Sequence, residues 1–233
     1  MQHLSFWFDP ISPYAHLAFE HLPQALEGHS VVIDYKPVLF GALLKHHQHK
    51  GPAEIEPKRA WTFRQVAWHA HTLGIRVDLP SQHPFNPLPL LRLLLAAAGP
   101  MGLPNRHQVE AVFRHVWQGG GDPLDAPRLL ALQDALGLGR EWGTGAAAAA
   151  VDALGSTGPS VPSLEAVKAR LKSLTDEALE KGIFGVPTLE WRGRLFWGLD
   201  ALPMLRSALG GDPWFDQEWE RAAKPVPGIR REP

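Results

Sequence analysis

The chain has 233 residues, with 24 acidic side chains against 23 basic ones and no cysteine. Charges this evenly mixed leave no electrostatic footprint for nucleic acid or for an anionic membrane surface. Without thiols the chain forms no disulfide, no thiolate zinc site and no cysteine nucleophile, so any thiol chemistry needs a borrowed thiol. The length suits one domain, or a compact domain carrying a large insertion. The start, Met1-Gln2-His3-Leu4, lacks the basic and long apolar regions of a signal peptide, and no run of about 18 apolar residues could span a bilayer, so the cytoplasm is the expected compartment.

Leu4, Phe6 and Phe8 alternate with Ser5, Trp7 and Asp9, which predicts a first strand with one face buried. Ser12-Pro13 then opens a helix with Leu17, Leu22 and Leu26 on its buried side, and Val31-Val32-Ile33 with Tyr35 predicts a second strand after Gly28. From about Phe40 to Gly182 strand signals vanish. Trp61 to Leu73, Leu88 to Ala98 and the spaced set Val109, Val112, Phe113, Val116, Trp117 suit helices. The stretch Gly137 to Gly158 is low in complexity, with a short helix between loops as the expectation, and Leu164, Val167, Leu171 and Leu174 mark a further helix ending near Gly182. Thr188–Trp191 and Arg194–Trp197 predict a hairpin around Arg192-Gly193, and Asp200 is placed to cap a last helix bearing Leu202, Leu205 and Leu209. The tail after Pro213 is expected to be irregular. Trp7, Trp117 and Trp191 fall on core-like positions, whereas Trp61 and Trp68 could line a cleft facing Ser12 and receive an aromatic substrate.

The expected fold class is therefore α/β, with a thioredoxin-like domain over residues 1–40 and 183–233 interrupted by an all-helical insertion over 41–182. Such an order of elements occurs in thioredoxin-like disulfide oxidoreductases. Ser12-Pro13-Tyr14-Ala15 then stands at the turn from the first strand into the first helix, where those proteins place Cys-x-x-Cys. Two readings of Ser12 stay open: a helix N-cap with proline in the favoured first helical position, or a hydroxyl that joins the helix N-terminus in holding a bound thiolate. Val186-Pro187, in Gly185-Val186-Pro187-Thr188, is an ordinary strand entrance or, if cis, a backbone edge that pairs with an extended peptide such as glutathione. Trp197-Gly198-Leu199-Asp200 is a helix cap or a seat for the γ-glutamyl end of such a peptide.

Phe8-Asp9-Pro10-Ile11-Ser12-Pro13-Tyr14-Ala15, Phe184-Gly185-Val186-Pro187-Thr188 and Trp197-Gly198-Leu199-Asp200 together resemble the 2-hydroxychromene-2-carboxylate isomerases, relatives of the kappa-class glutathione transferases. Lys45, Lys50-Gly51-Pro52-Ala53-Glu54-Ile55, Lys58-Arg59 and Phe85-Asn86 extend the likeness through the middle of the chain. The resemblance implies a DsbA-like fold and glutathione, or another low-molecular-weight thiol, as cofactor. It implies Ser12 as the residue facing the cofactor sulfur, Val186 and Pro187 at its cysteinyl backbone, and Trp197, Gly198, Leu199 and Asp200 at its γ-glutamyl end. Lys58 and His49 match cofactor-binding positions, and Lys45 and Asn86 match substrate-binding ones; solvated polar residues are the alternative reading of Lys45, Lys58 and Asn86. His49 stands where relatives often carry Asn, an exchange that keeps a hydrogen-bonding group but alters its size and pH response. His46, His47 and His49 have no acidic or cysteine partner at metal-ligand spacing, and no metal is expected.

The implied activity is cis/trans isomerisation of 2-hydroxychromene-2-carboxylate or a related aromatic pyruvate adduct by reversible thiolate addition. A kappa-class-like transferase or peroxidase and a non-catalytic peptide-binding module are the alternatives. A small aromatic substrate is the expected partner, with no nucleic acid and no membrane, and a homodimer is compatible with the resemblance.

Overall fold

The computed structural model describes residues 1–100, 102–139 and 162–224. Its sheet has the order β2-β1-β3-β4, built from β1 (Gln2–Phe8), β2 (Val31–Pro37), β3 (Thr188–Trp191) and β4 (Arg194–Trp197). β1 runs parallel to β2, with Phe6 opposite Tyr35, and antiparallel to β3, with Phe6 opposite Leu189. The β3–β4 hairpin turns through Arg192 and Gly193, both left-handed at φ 51° and 77°, a twist that suits a two-residue connection.

β1 departs from the expected half-buried pattern. Leu4, Phe6 and Phe8 are buried as predicted, and so is Trp7 on the opposite face, as its core-like position implied, which leaves the strand covered on both faces rather than one. As a central strand it is covered on both sides: Lys36 Nζ lies 4.5 Å from the Trp7 ring centroid, and Trp7 Nε1 donates to Glu190 Oε2 at 3.2 Å.

Helix α1 (Pro13–Ala25) buries Leu17, Phe19 and Leu22. Between β2 and β3 come α2 (Phe40–His46), a 3-10 turn at Pro52–Glu54, α3 (Glu56–Leu73), α4 (Leu88–Ala97), α5 (Arg106–Trp117), α6 (Ala126–Ala135) and α7 (Leu164–Glu180). α7 is capped by Ser163, which accepts from the Ala166 N–H, and is followed by left-handed Gly182 at φ 78°. The expected short helix in Gly137–Gly158 lies outside the described residues beyond Gly139. One continuous apolar cluster joins the sheet to the helices that follow it: Phe113 of α5 stands 5.3 Å from Phe8 and 5.2 Å from Phe19, ring centroid to centroid.

The C-terminal part corrects two expectations. Leu199–Ala201 is a 3-10 turn leading into α8 (Leu202–Leu209), whose N-cap is Ala201 with no side-chain capping bond, so Asp200 does not cap the helix. The tail after Pro213 is ordered through α9 (Trp214–Gln217) and α10 (Trp219–Ala222), because Phe215 and Trp219 pack on Phe196 of β4 at 6.0 and 5.3 Å. Helices of 4 residues carry too few repeats for their periodicity to be read in advance.

Candidate active site

The site forms where β1 ends and α1 begins. Ser12, only 7 % exposed, has extended backbone (φ −87°, ψ 117°), and its Oγ accepts from the Ala15 N–H at 3.2 Å, so it is a true N-cap. The same Oγ donates to the Val186 carbonyl at 3.2 Å. Cap and cross-chain bridge are therefore one group, and the structural and functional readings of Ser12 are not exclusive. Val186-Pro187 is cis, as the motif predicted, and Val186 faces Ser12. Among the described residues the Val186 N–H donates to no acceptor, although the residue is 6 % exposed. A nearly buried, unspent donor beside a hydroxyl is what the backbone of an added extended peptide would use.

The turn leading into Ser12 is held through its carbonyls and through the Ile11 and Ser12 N–H groups. Asp9 is fully buried; its Oδ1 accepts from the Ile11 N–H at 3.0 Å and its Oδ2 from the Phe40 N–H at 2.9 Å. Burial pushes the Asp9 carboxyl up to about 7 against the opposing pull of those two N–H groups. The Ser12 N–H donates to Asp9 O, Trp117 Nε1 to Pro10 O at 2.8 Å, and His83 Nε2 to Ile11 O at 2.9 Å.

The hairpin end closes the other side. The Gly198 N–H donates to Pro187 O at 2.9 Å. Gly198 has φ 96°, a conformation that demands glycine, and a Cβ there would also have to push aside the exposed Asp200 carboxylate. Trp197, 54 % exposed, lies against Gly185 and meets the Phe184 ring at a tilt, centroids 4.9 Å apart. Leu199 is buried beneath this turn. The Asp200 carboxylate is exposed and accepts no hydrogen bond among the described residues, yet its charge, after burial, helps raise the Tyr14 phenol above its ordinary range. Asp200 thus lies within electrostatic reach of the first turn of α1. Tyr14 in turn donates to Gln65 Oε1 of α3 at 2.6 Å. Trp61 and Trp68, 63 % and 62 % exposed, flank Gln65 along α3.

Ser12, Val186, Pro187 and the Trp197–Asp200 turn are therefore brought together. No hydrogen bond or ion pair among the described residues ties Lys45, His49, Lys58 or Asn86 to them. Lys45 and His49 are exposed at and beyond the far end of α2, and Lys58 is exposed in the first turn of α3. The Asn86 Oδ1 is occupied locally, accepting from the Leu88 N–H at the start of α4. The histidines of 46–49 join no group of three or more possible metal ligands among the described residues. Sequence reasoning missed Asp9, Gln65, Tyr14 and His83 as site residues. Asp9 and Tyr14 stood inside the motif around Ser12, but nothing along the chain brings Gln65 or His83 to it.

Residues 3–210 match the model of the DSBA-like thioredoxin domain. The 2-hydroxychromene-2-carboxylate isomerase of Pseudomonas putida is 26 % identical over 211 residues, covering 89 % of this chain and 94 % of the relative. Glutathione S-transferase kappa 1 of Rattus norvegicus is 22 % identical over 220 residues, covering 89 % and 90 %. Among solved structures, a 2-hydroxychromene-2-carboxylate isomerase superposes with a TM-score of 0.69 at 23 % identity, covering 93 % of this chain and 98 % of that one. The cytosolic disulfide reductase DsbM from Pseudomonas aeruginosa with GSH gives 0.51 at 20 % identity, covering 95 % and 100 %. With a family match running over nearly its whole length and the fold to go with it, the chain belongs to the DsbA-like thioredoxin-domain family.

Proposed function

We propose that this protein is a cytoplasmic, glutathione-dependent isomerase acting on 2-hydroxychromene-2-carboxylate or a related aromatic pyruvate adduct. The observation that carries the reading is Ser12: in a chain without cysteine, a hydroxyl donor occupies the N-terminus of α1 opposite the Val186 backbone. The donor set suits glutathione. The Val186 N–H and C=O fit its cysteinyl backbone, the Asp200 carboxylate its amino group, and the Ser12 hydroxyl with the Tyr14 N–H in the first turn of α1 its sulfur. Bound glutathione would supply a thiolate that adds reversibly to the double bond of the ring-opened substrate, leaving a single bond free to rotate before elimination. Ser12 turns about its Cβ–Oγ bond from Val186 O toward the sulfur and stabilises its negative charge. A hydrogen bond to a charged group contributes about 1.5–3 kcal/mol, and about 1.36 kcal/mol corresponds to one pKa unit, so this one donor lowers a thiol pKa by about one to two. Trp61 and Trp68 offer apolar surface for the aromatic ring, and the resemblance alone supports cofactor roles for Lys58 and His49 and substrate roles for Lys45 and Asn86.

The likeness to a kappa-class transferase favours conjugation of an electrophile at the same cofactor site as the second reading. Calorimetric titration with glutathione, followed by product analysis with a hydroxychromene carboxylate and with a halo-aromatic, tests both. The first reading requires micromolar-to-millimolar glutathione binding and a trans product with no net consumption of thiol. Stoichiometric loss of thiol supports the transferase, and no binding removes both.

A further inference from the structure

The two carbonyls that precede Ser12 are both taken by ring N–H donors from the helical segment: Pro10 O by Trp117 Nε1 of α5, and Ile11 O by His83 Nε2 of the α3–α4 connection. The His83 ring is boxed in by Phe63 at 5.3 Å, Trp117 at 5.7 Å and Phe85 at 6.1 Å. Its Nδ1 is buried and meets no donor among the described residues, so the bond to Ile11 is the one polar anchor the ring has. Burial, aided by the nearby Arg59 charge, keeps this imidazole below its ordinary titration range. At neutral pH it is therefore uncharged, and a carbonyl partner requires its proton on Nε2.

We infer that His83 is a positioning residue for Ser12, acting through the Ile11 carbonyl to fix the turn from which the Ser12 hydroxyl is aimed. The inference rests on the proposed thiolate-holding role of Ser12 for its consequence, but not for the placement of the turn. A peptide plane held at one carbonyl by an aromatic-walled ring cannot rock without moving the next residue. Ser12 must satisfy the Ala15 N–H and face Val186 at once, so small rotations of the Ile11–Ser12 peptide misalign it.

Three substitutions separate positioning from packing. His83→Gln places an amide N–H near the position of Nε2 and keeps the donor; His83→Asn is equally polar but too short to reach Ile11 O; His83→Phe keeps the aromatic walls and has no donor. Two readouts are taken: amide hydrogen exchange of Ser12 in the free protein, and ultraviolet titration of the thiol under saturating glutathione. We expect Ser12 exchange to accelerate about tenfold in the Asn and Phe variants and to stay near wild type in Gln. The bound-thiol pKa should rise by about one in the same two variants, with the glutathione dissociation constant changing less than about threefold. Equal Ser12 exchange in all four proteins overturns the inference, as does a pattern in which Phe behaves as wild type while Asn and Gln fail together. If the wild type leaves the thiol pKa of glutathione unchanged, the proposed function fails, and Ser12 exchange alone then decides the role of His83. Should the Phe variant not fold, the Asn–Gln pair, which differs only in reach, makes the same distinction.

Discussion

The Ser12 hydroxyl donates to the Val186 carbonyl at 3.2 Å across 174 positions of sequence. It is the bond that joins the first helix to the entrance of β3, and it brings the hydroxyl that caps α1 against a backbone edge. Because Ser12 also caps α1, substitution touches stability and chemistry together. Ser12→Ala is expected to lower stability by about 0.5–2 kcal/mol through the lost cap and to raise the pKa of bound glutathione thiol by about one or more. Ser12→Thr, which retains both functions but crowds the turn, should show a smaller rise. Coincident thiolate titrations of wild type and Ser12→Ala would remove the catalytic role and leave the cap.

Asp200 gives a cleaner test, because it caps no helix and accepts no hydrogen bond among the described residues. Asp200→Ala should leave the melting temperature within about a degree or two of wild type, as exposed substitutions away from such features change stability little. The glutathione dissociation constant should rise about tenfold or more, the loss expected for one hydrogen bond to a charged group. Calorimetry showing unchanged affinity would take Asp200 out of the cofactor site.

Gly198 is the hinge of that turn. Gly198→Ala meets both a left-handed backbone and Asp200 Oδ1, and a loss of about 1–3 kcal/mol in chemical denaturation is expected. Combined with Asp200→Ala the penalty should shrink, since the obstructing carboxylate is gone; additive losses would place the whole cost in the backbone.

Buried acid and buried imidazoles pull stability in opposite directions with pH. Asp9 is raised from 3.8 to about 7 by burial, so between those values the folded state keeps a proton that the unfolded state has released, and stability falls as pH rises. His16, His83 and His115 are held below 6.5 chiefly by burial, so each contributes stability that is present above 6.5 and is lost as pH falls toward its folded value. Asp9→Asn removes the first effect alone. Its stability relative to wild type should improve by about 1.4 kcal/mol for each pH unit from pH 5 to 7 and level off above. A difference independent of pH would mean that Asp9 is not protonated in the folded protein.

Local patterns in the chain were sufficient for the strands, most of the helices and the hairpin, because each is written in neighbours: alternation for β1, the spacing of Val109 to Trp117 for α5, Arg192-Gly193 for the turn. The three motifs around Ser12, Val186 and Trp197 were legible for the same reason, and once those elements are placed in one sheet their convergence follows. What the tertiary structure alone decided lies in contacts between elements distant in sequence. That β1 is covered on both faces and not one depends on its having neighbours on both edges. The short C-terminal helices depend on Phe196 offering a surface to Phe215 and Trp219. Asp200 reads as a cap along the chain, yet the 3-10 turn leaves it short of the helix start, where Ala201 takes the N-cap position. Gln65 and His83 carry no local signal at all, since a hydrogen bond to Tyr14 or to Ile11 O leaves no periodicity in the segments that supply it. Sequence alone determined which groups could do chemistry; packing of the helical segment against the Ser12 turn decided which of them are held where that chemistry needs them.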